Sequence, residues 1–500
     1  MASVKEIELG PIVGHTTVCS ARLWGAISPD TAENLNSDSE KFNVGVLRWW
    51  PEGEPENALI ARFRFNGNFH YSGALELSKL DRSPCYEYQM GYVEDERCLD
   101  ELEQLVWDDV VVRRFNTAPD RQEILHFAMG SCMYPKFMAF RRRNEKPLSR
   151  LDKRTDKIFK AVYQRHEQTP LDFILLLGDQ IYADALGPLW PATSEEKFQH
   201  IYSKAFSQPH FSKAASHIPL YMAFDDHEVH NDFTEGLDEY SRKHPERTDN
   251  AMNALYAHQL IYTPVFDKVV PENEYVAYIK GQGDHELPTR HWYDIDRGFA
   301  RFFICDTRAQ REPNKMLDNE QFGALLEWLK KDPEKIKFVA SGTTVIVDAD
   351  TPGNGKPDNW ARAKHQRQQL IDCIVGEGIK NVFFLSGDVH AHFAAQLTVN
   401  GEPYPVYQLV SSGIFWPTLW PISSFKWKEE WVDFENISGT APDKAYGLKG
   451  PLKDQDSKKG YFEGNGMAFV KLDSDQLQFT VVNRADFQEI LKVSFDLRLR

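Results

Sequence analysis

Short apolar runs that end directly in metal-binding residue types constrain this chain more than any other feature. Four such runs, ILHFAM at 124–129, FILLL at 173–177, PLYMAF at 219–224 and NVFFLS at 381–386, lead respectively into GSC at 130–132, GDQIYAD at 178–184, DDHEVHND at 225–232 and GDVHAH at 387–392. Runs of this length and composition predict buried β-strands. Because open α/β sheets place their sites at the carboxyl ends of strands, the pattern predicts a polynuclear metal site at one edge of a sheet.

The pattern of the chain changes near residue 120. Residues 1–118 contain short alternating runs separated by turn residues, which predict an antiparallel β-sandwich, and NTAPD at 116–120 has the composition of a linker. Over 121–500, buried strands alternate with helical segments, which is typical of a layered α/β domain, although successive strands over 274–308 predict a partly antiparallel sheet. The Trp-, Pro- and Lys-rich stretch 401–462 is expected to be a long loop that acts as a lid.

The charge balance limits the partners that this chain can bind. Lys and Arg total 58 against 74 Asp and Glu, which gives a net charge of −16. This charge disfavours nucleic-acid duplexes and anionic membrane surfaces, whereas bound cations would still admit a small anionic substrate. The oligomeric state is not indicated.

Composition and cysteine usage also bear on the compartment. No stretch approaches the roughly 20 consecutive apolar residues of a transmembrane helix. The first ten residues, MASVKEIELG, lack the pattern of a signal peptide. The six cysteines are scattered without a CxxC pair, and reduced thiols are typical of the cytosol. We therefore expect a cytoplasmic protein, or an extracellular or periplasmic one if an export signal has been removed.

Asp179 and Tyr182 stand in the loop that follows FILLL, where they offer a carboxylate and a phenolate three residues apart. Phenolate is a hard, strongly donating ligand that suits trivalent iron better than zinc, although a tyrosine here also fits a core or surface position. Cys132 is open to three interpretations: a small buried apolar residue, a thiolate metal ligand or a catalytic nucleophile. The local sequence does not discriminate among them.

The segment 225–232 is the densest run of ionisable residues in the chain. Because it follows an apolar strand, its charges are expected to need metals or partners that offset their desolvation. Asp226 and Asn231 are oxygen donors fit for calcium, magnesium or manganese. His227 is a candidate ligand, general acid or phosphate contact.

Asp388, His390 and His392 alternate along the chain after a fully apolar strand. Alternate residues of an extended segment face the same side. Two or all three of these side chains are therefore expected to reach one pocket.

Taken together, these motifs resemble those of the PhoD-type alkaline phosphatases, a branch of the calcineurin-like metallophosphatases. The matching segments are GSC at 130–132, GDQIYAD at 178–184, DDHEVHN at 225–231, DTR at 306–308 and LSGDVHAH at 385–392. The opening segment GPIVGHTTVCSARLWG also resembles the N-terminal module of that family. The resemblance implies a layered α/β/β/α metallophosphatase fold over 121–500, preceded by an N-terminal β-sandwich domain over 1–118.

The resemblance also implies a mixed-metal centre and a role for each of its residues. A ferric ion would be held by Cys132, Asp179, Tyr182 and His390. Asp179 would bridge to a second ion, calcium or alternatively magnesium or manganese, which would be completed by Asp226, Asn231 and Asp388. Such a centre implies a phosphomonoesterase or phosphodiesterase that uses a metal-activated oxygen nucleophile on a small phosphate ester.

Two residues beside the metals receive catalytic roles from the same resemblance. His227 would protonate the leaving group or orient the phosphate. Arg308 would contact a phosphate oxygen, because arginine binds phosphate bidentately, or would instead form a structural salt bridge. Two features depart from the family pattern: His392 stands where a small residue is more common, and Cys305, interpreted as a core residue, stands where an apolar residue is usual.

Two other functions stay open from the sequence. One is a non-catalytic binding protein in which the metals are structural. The other is a hydrolase that uses Cys132 as its nucleophile.

Overall fold

The structure is a computed structural model. It describes residues 2–34, 42–80, 84–94, 101–134, 155–184, 191–234, 238–266, 290–349, 358–416, 445–454, 457 and 460–498. Among these residues, no helix is both long enough and apolar enough to cross a membrane. The strand predicted at 275–281 and residues 417–444 of the predicted lid lie outside the described residues.

The described residues up to Asn116 form an antiparallel layer. Its elements are β1 Lys5–Glu6, β2 Leu9–Thr16, β3 Ser20–Ala26, α1 Pro29–Asn34, β4 Phe42–Pro51, β5 Leu59–Asn66, β6 Ser72–Ser78, β7 Cys85–Tyr92 and β8 Arg113–Asn116. The strand order is β1-β7-β4-β5-β6-β3-β2, and β8 pairs with β7. β5 and β6 pair only at Asn66 and Ser72, and side chains from both halves meet in one apolar cluster. The expected sandwich is therefore one sheet folded over at this junction.

The strands after residue 120 form two further sheets. In chain order they are β9 Leu125–Gly130, β10 Phe173–Leu177, β11 Leu220–Ala223, β12 Tyr293–Arg297, β13 Ala300–Ile304, β14 Ile336–Ser341, β15 Val382–Ser386, β16 His392–Val399, β17 Glu402–Ser411, β18 Tyr446–Lys449, β19 Tyr461–Phe462, β20 Gly466–Leu472, β21 Gln476–Asn483 and β22 Glu489–Asp496. The first sheet has the order β11-β10-β9-β20-β21-β22, and the second has the order β12-β13-β14-β15-β17-β16-β18, with β19 beside β16.

Helices cover these sheets. They are α2 Lys157–Gln168, α3 Glu195–Phe206, α4 Pro209–Ala215, α5 Glu239–Lys243, α6 Pro245–Leu255, α7 Asn319–Lys330 and α8 Lys364–Gly376. α7 is an example of how the local sequence starts a helix. The Asp318 carboxylate accepts the backbone N–H of Gln321 at 2.7 Å and caps the first turn. Leu325, Trp328 and Leu329 then recur at helical spacing and bury one face against the second sheet.

The two sheets pack face to face through aromatic side chains. The ring centroids of Phe127 in β9 and Phe338 in β14 are 5.7 Å apart, and those of Phe173 in β10 and Phe302 in β13 are 5.1 Å apart. Edge-to-face pairs at this spacing are favourable beyond the burial of their area. The predicted layered α/β/β/α fold is confirmed, including the antiparallel pairing of β12 with β13.

Two expectations from the sequence need correction. The four polar strand ends do not lie on one sheet: β9, β10 and β11 are parallel neighbours in the first sheet, whereas β15 belongs to the second. The site therefore forms where the ends of two packed sheets meet. The stretch 401–462 is also not simply a loop, because β17, β18 and β19 lie within it and pair with β15 or β16. The domain boundary near residue 120 stays a prediction.

Candidate metal centre

The candidate centre lies at the carboxyl ends of β9, β10, β11 and β15. Two glycines allow the strands to approach there. A Cβ on Gly178, whose φ is +103°, would lie 2.3 Å from the Cβ of Asp225, and a Cβ on Gly342 would lie 2.9 Å from the Asp225 Cγ. Glycine is therefore required at both positions. The Asp388 N–H donates to Ser131 Oγ at 3.2 Å and joins the two sheets directly.

Cys132, Asp179 and Tyr182 converge on one point. The Sγ atom of Cys132 lies 3.3 Å from Asp179 Oδ2, and the Tyr182 hydroxyl donates to the same oxygen at 3.0 Å. All three residues are buried. A thiol, a carboxylate and a phenol around one point fit the ligand set predicted for a ferric ion.

His390 approaches this group from the second sheet. Its backbone N–H donates to Ser412 Oγ at 3.0 Å, and the same hydroxyl lies 3.3 Å from Cys132 Sγ. The imidazole stacks on Trp416 with ring centroids 3.9 Å apart, and its buried Nδ1 has no hydrogen-bond partner in the described part of the chain. Burial lowers the pKa of His390 to about 3. A neutral imidazole with an unpaired nitrogen is the form that binds a metal.

Carboxylates surround Asp179 on its other side. Ligand atoms of Asp179, Asp225 and Asp388 lie within 4.8 Å of one another, and the same holds for Asp179, Asp226 and His227. Asp179 thus belongs to both groups, as a bridging ligand would. Asp225 was not among the ligands predicted from the sequence.

Asn231 is one of the ligands predicted for the second ion. The residue is exposed, and its backbone N–H donates to Asp184 Oδ2 at 2.7 Å. A third acidic group, Asp226, Asp232 and Asp358, lies nearby with ligand atoms within 4.8 Å of one another. Asp232 stands in the DDHEVHND segment, whereas the sequence around Asp358 gave no signal. The role of the Asn231 amide stays a prediction.

The backbone at this centre is held in an uncommon conformation. Left-handed φ angles occur at Cys132 (61°), Asp179 (56°), Asp232 (59°), Asp388 (63°) and His390 (51°). Residues other than glycine adopt this region infrequently. Such conformations persist where the surrounding structure fixes them, and they cluster at functional sites.

The electrostatics also favour cations. Burial raises the pKa of Asp179 well above its ordinary value, and the charges of Asp226 and Asp225 add to this effect against that of His227. Burial, followed by Asp225 and Asp226, likewise raises the pKa of Asp388 well above its ordinary value. Crowded buried carboxylates repel one another and require positive charge to ionise together. The donor set therefore fits two adjacent metal ions.

Arg308 supplies part of the positive charge that offsets the buried carboxylates of the centre. Its side chain is fully buried, its Nε donates to Asp225 Oδ1 at 2.5 Å, and its Nη2 lies 2.7 Å from Asp358 Oδ2. Burial lowers the pKa of Arg308, but Asp225 and Asp358 outweigh this effect and hold it above its ordinary value. These contacts match the structural salt bridge, one of the two roles expected for Arg308, and the phosphate contact stays a prediction.

We expect Arg308→Met to destabilise the metal-free protein by about 3–5 kcal/mol, because it leaves Asp225 buried without its counter-charge and leaves Asp358 paired with Arg311 alone. Thermal or urea unfolding of the chelated protein measures the effect. Arg498→Met removes an exposed pair with Asp496 and serves as the control, for which we expect no measurable change. Equal stability of the two variants would contradict the structural role of Arg308.

His227 is oriented by Asp184, a carboxylate of the GDQIYAD segment that has no role predicted from the sequence. Its Nδ1 lies 2.8 Å from Asp184 Oδ1, and its ring centroid lies 4.2 Å from that of Tyr182. Burial lowers the pKa of His227, but the charges of Asp184 and Asp226 outweigh it and raise the pKa well above the ordinary value. His392 takes no part in this group: its ring nitrogens contact Ser411 Oγ and the Gly464 carbonyl.

Sequence comparisons identify relatives of the chain. A family model described as PhoD-like phosphatase matches residues 153–445. Alkaline phosphatase D of Bacillus subtilis (strain 168) is 22% identical over an alignment of 275 positions, and the match covers 48% of this chain and 45% of that protein. The match therefore spans less than half the length of this curated relative.

Solved structures show the same fold. One described as the structure of PhoD superposes with a TM-score of 0.67 at 16% identity and covers 99% of this chain and 91% of the other. A purple acid phosphatase isolated from yellow lupin (Lupinus luteus) seeds has a TM-score of 0.56 at 13% identity, over 99% of this chain and 74% of the other. At these identities the likeness concerns the fold alone.

Proposed function

The chain belongs to the PhoD-like phosphatase family, and from that premise we propose that it is a metal-dependent phosphoric ester hydrolase that acts on phosphomonoesters, phosphodiesters or both. The observation that carries this proposal is the convergence of Cys132 Sγ and the Tyr182 hydroxyl on one oxygen of Asp179, at 3.3 and 3.0 Å. The neighbouring carboxylates give Asp179 a second group of potential ligands.

We propose that Cys132, Asp179, Tyr182 and His390 hold a ferric ion. Thiolate and phenolate donors on one side and oxygen donors alone on the other favour two different metals. Calcium, or alternatively magnesium or manganese, would then bind to Asp179, Asp226, Asn231 and Asp388, with Asp225 close by. When bound, two such ions act as Lewis acids that clamp a phosphoryl group and activate the attacking oxygen.

His227 is proposed as the general acid. Its Nδ1 is engaged by Asp184, which fixes the ring and leaves Nε2 as the position for proton transfer to a leaving-group oxygen. Asp184, which is not a proposed metal ligand, raises the pKa of His227 against the effect of burial and favours the protonated form that an acid requires. The 3₁₀ turn Asp226–Glu228 presents this ring beside the metal ligands.

Cys132 is better suited as a ligand than as a nucleophile. Burial, followed by the charges of Asp179 and Asp388, raises the pKa of the Cys132 thiol well above its ordinary value. Reactive cysteines instead have lowered pKa values and partial exposure. A metal ion removes this disadvantage, because a coordinated thiol is deprotonated.

We expect His227→Gln to slow the hydrolysis of an alkyl phosphate by on the order of 10²-fold or more, because a poor leaving group requires a proton in the transition state. Hydrolysis of p-nitrophenyl phosphate, whose leaving group requires little protonation, should slow much less. Steady-state kinetics with both esters measure the difference. His230→Gln is the matched control. His230 is not a predicted site residue, and its Nε2 contacts Ser241 Oγ at 3.2 Å. An equal loss with both esters would contradict the general-acid role.

The proposed function is tested by elemental analysis of the purified protein, combined with assays on a panel of phosphate mono-, di- and triesters. We expect iron and a second metal, together with hydrolysis of monoesters or diesters that chelation abolishes and metal addition restores. Full metal content without hydrolysis of any ester would contradict the proposal and favour a structural role for the metals.

A further inference from the structure

Glu228 is a fully buried carboxylate that binds the backbone of the metal-ligand turns. Its Oε2 accepts the backbone N–H groups of Asp179 at 3.2 Å and Asp225 at 3.1 Å, and its Oε1 accepts the N–H of Gln180 at 2.7 Å. Only 1% of the residue is exposed. One side chain therefore joins the turn after β10 to the turn after β11.

The turns that Glu228 joins need such an anchor. Asp179 has a left-handed φ of 56°, which a residue with a side chain holds only when its surroundings fix it. Its carboxylate also belongs to both acidic groups of the centre. Since Asp225 directly precedes Asp226, the shared Oε2 acceptor sets the spacing between the candidate bridging ligand and a candidate ligand of the second ion.

Glu228 is itself held in place. Gln259 donates from Nε2 to Glu228 Oε1 at 3.3 Å and to the Tyr202 hydroxyl at 2.9 Å. Gln259 lies in a π-helical turn, Tyr256–Leu260, a feature that is frequent at functional sites. The Trp24 indole of the N-terminal sheet donates to the Ala257 carbonyl of this turn at 2.8 Å. The Glu228 carboxylate thus has a fixed position relative to several packed elements.

We propose that Glu228 is a positioning residue that sets the geometry in which Asp179 and Asp226 can bind metal together. Glu228 belongs to none of the groups of potential metal ligands among the described residues, and it acts through backbone N–H groups. Outer groups that orient metal ligands commonly change metal affinity when they are removed. The inference rests on the proposed function only insofar as the centre binds metal.

The test is the rate at which a chelator removes metal from the purified holoprotein. Glu228→Leu removes both acceptor oxygens, whereas Glu228→Gln keeps one of them. We expect release on the order of 100-fold faster than in the wild type for the leucine variant and about tenfold faster for the glutamine variant. Gln259→Leu, which leaves Glu228 unsupported, should also be about tenfold faster.

Leu477→Ala separates positioning from general destabilisation. Leu477 is fully buried. It lies opposite Leu472 in β20, and Leu472 lies opposite Leu125, which is at the end of β9 that is away from Cys132. This variant should lower the thermal midpoint and release metal at the wild-type rate. Release as fast as in the Glu228 variants would overturn the inference.

Other outcomes are equally decisive. A wild-type protein that binds no metal would overturn the proposed function. Normal binding with wild-type release from both Glu228 variants would overturn the positioning role alone. If Glu228→Leu does not fold, Glu228→Gln and Gln259→Leu decide the matter, and wild-type release from both overturns the inference.

Discussion

Asp179→Asn is expected to abolish binding of both metals and to reduce phosphate-ester hydrolysis by on the order of 10³-fold or more. The reason is that Asp179 belongs to both acidic groups of the centre and also contacts Cys132 and Tyr182. The amide keeps the size of the side chain but loses one acceptor oxygen and the negative charge. Elemental analysis of the purified variant and steady-state kinetics measure the two effects.

Asp454→Asn provides the matched control. The Asp454 carboxylate accepts from the backbone and hydroxyl of Ser494 at 3.0 and 2.8 Å, in a contact with β22 at the edge of the first sheet. Its variant should keep both metals and normal turnover. Normal metal content and activity in Asp179→Asn would refute the bridging role.

Tyr182→Phe is expected to remove a visible charge-transfer band from the metal-loaded protein while the second metal is retained. The band requires phenolate bound to ferric iron, and phenylalanine lacks that oxygen but preserves the ring packing against His227 and Trp416, whose centroids lie 4.2 and 5.8 Å away. Absorption spectra at equal protein concentration, together with metal analysis, give the result.

Tyr134→Phe is a close control for this experiment. The Tyr134 ring lies 4.8 Å from that of Tyr182 in the same small cluster, but Tyr134 is not a predicted ligand. Its variant should keep the band unchanged. A band that survives in Tyr182→Phe and disappears in Tyr134→Phe would show that Tyr134, and not Tyr182, supplies the phenolate. A colourless wild-type protein with bound metal would argue against ferric iron.

Much of the fold could be predicted from local sequence, because each of the parallel strands β9, β10 and β11 is a short, largely apolar run that is followed by polar residues. Phe173–Leu177 is the clearest case, since its observed bounds coincide with the run that predicts it. The division of the strand ends between two sheets was not predictable in this way. It depends on which strands pair, and pairing depends on contacts between residues far apart in the sequence.

Residues of the candidate site were likewise predictable only where a local sequence motif contains them. Asp179 and Tyr182 were recognised because they follow a strand within one motif, and their role as ligands stays a prediction. Asp358 has no such motif and reaches the centre through its ion pairs with Arg308 and Arg311. Glu228 lies within a recognised motif, but its function as a backbone acceptor arises only when β10 and β11 lie side by side.

The position of the centre between two sheets also has a consequence for folding order. Its candidate ligands come from segments separated by more than 250 residues, from Cys132 to His390. Contacts across such long sequence separations form slowly, because loop closure must precede them. A metal ion that bridges Asp179 and Asp388 would therefore bind after the sheets dock and would then oppose their separation. Chelation should loosen the junction between the sheets before it disrupts either sheet, and hydrogen exchange at Asp388, whose N–H donates to Ser131 Oγ across the junction, would report this opening.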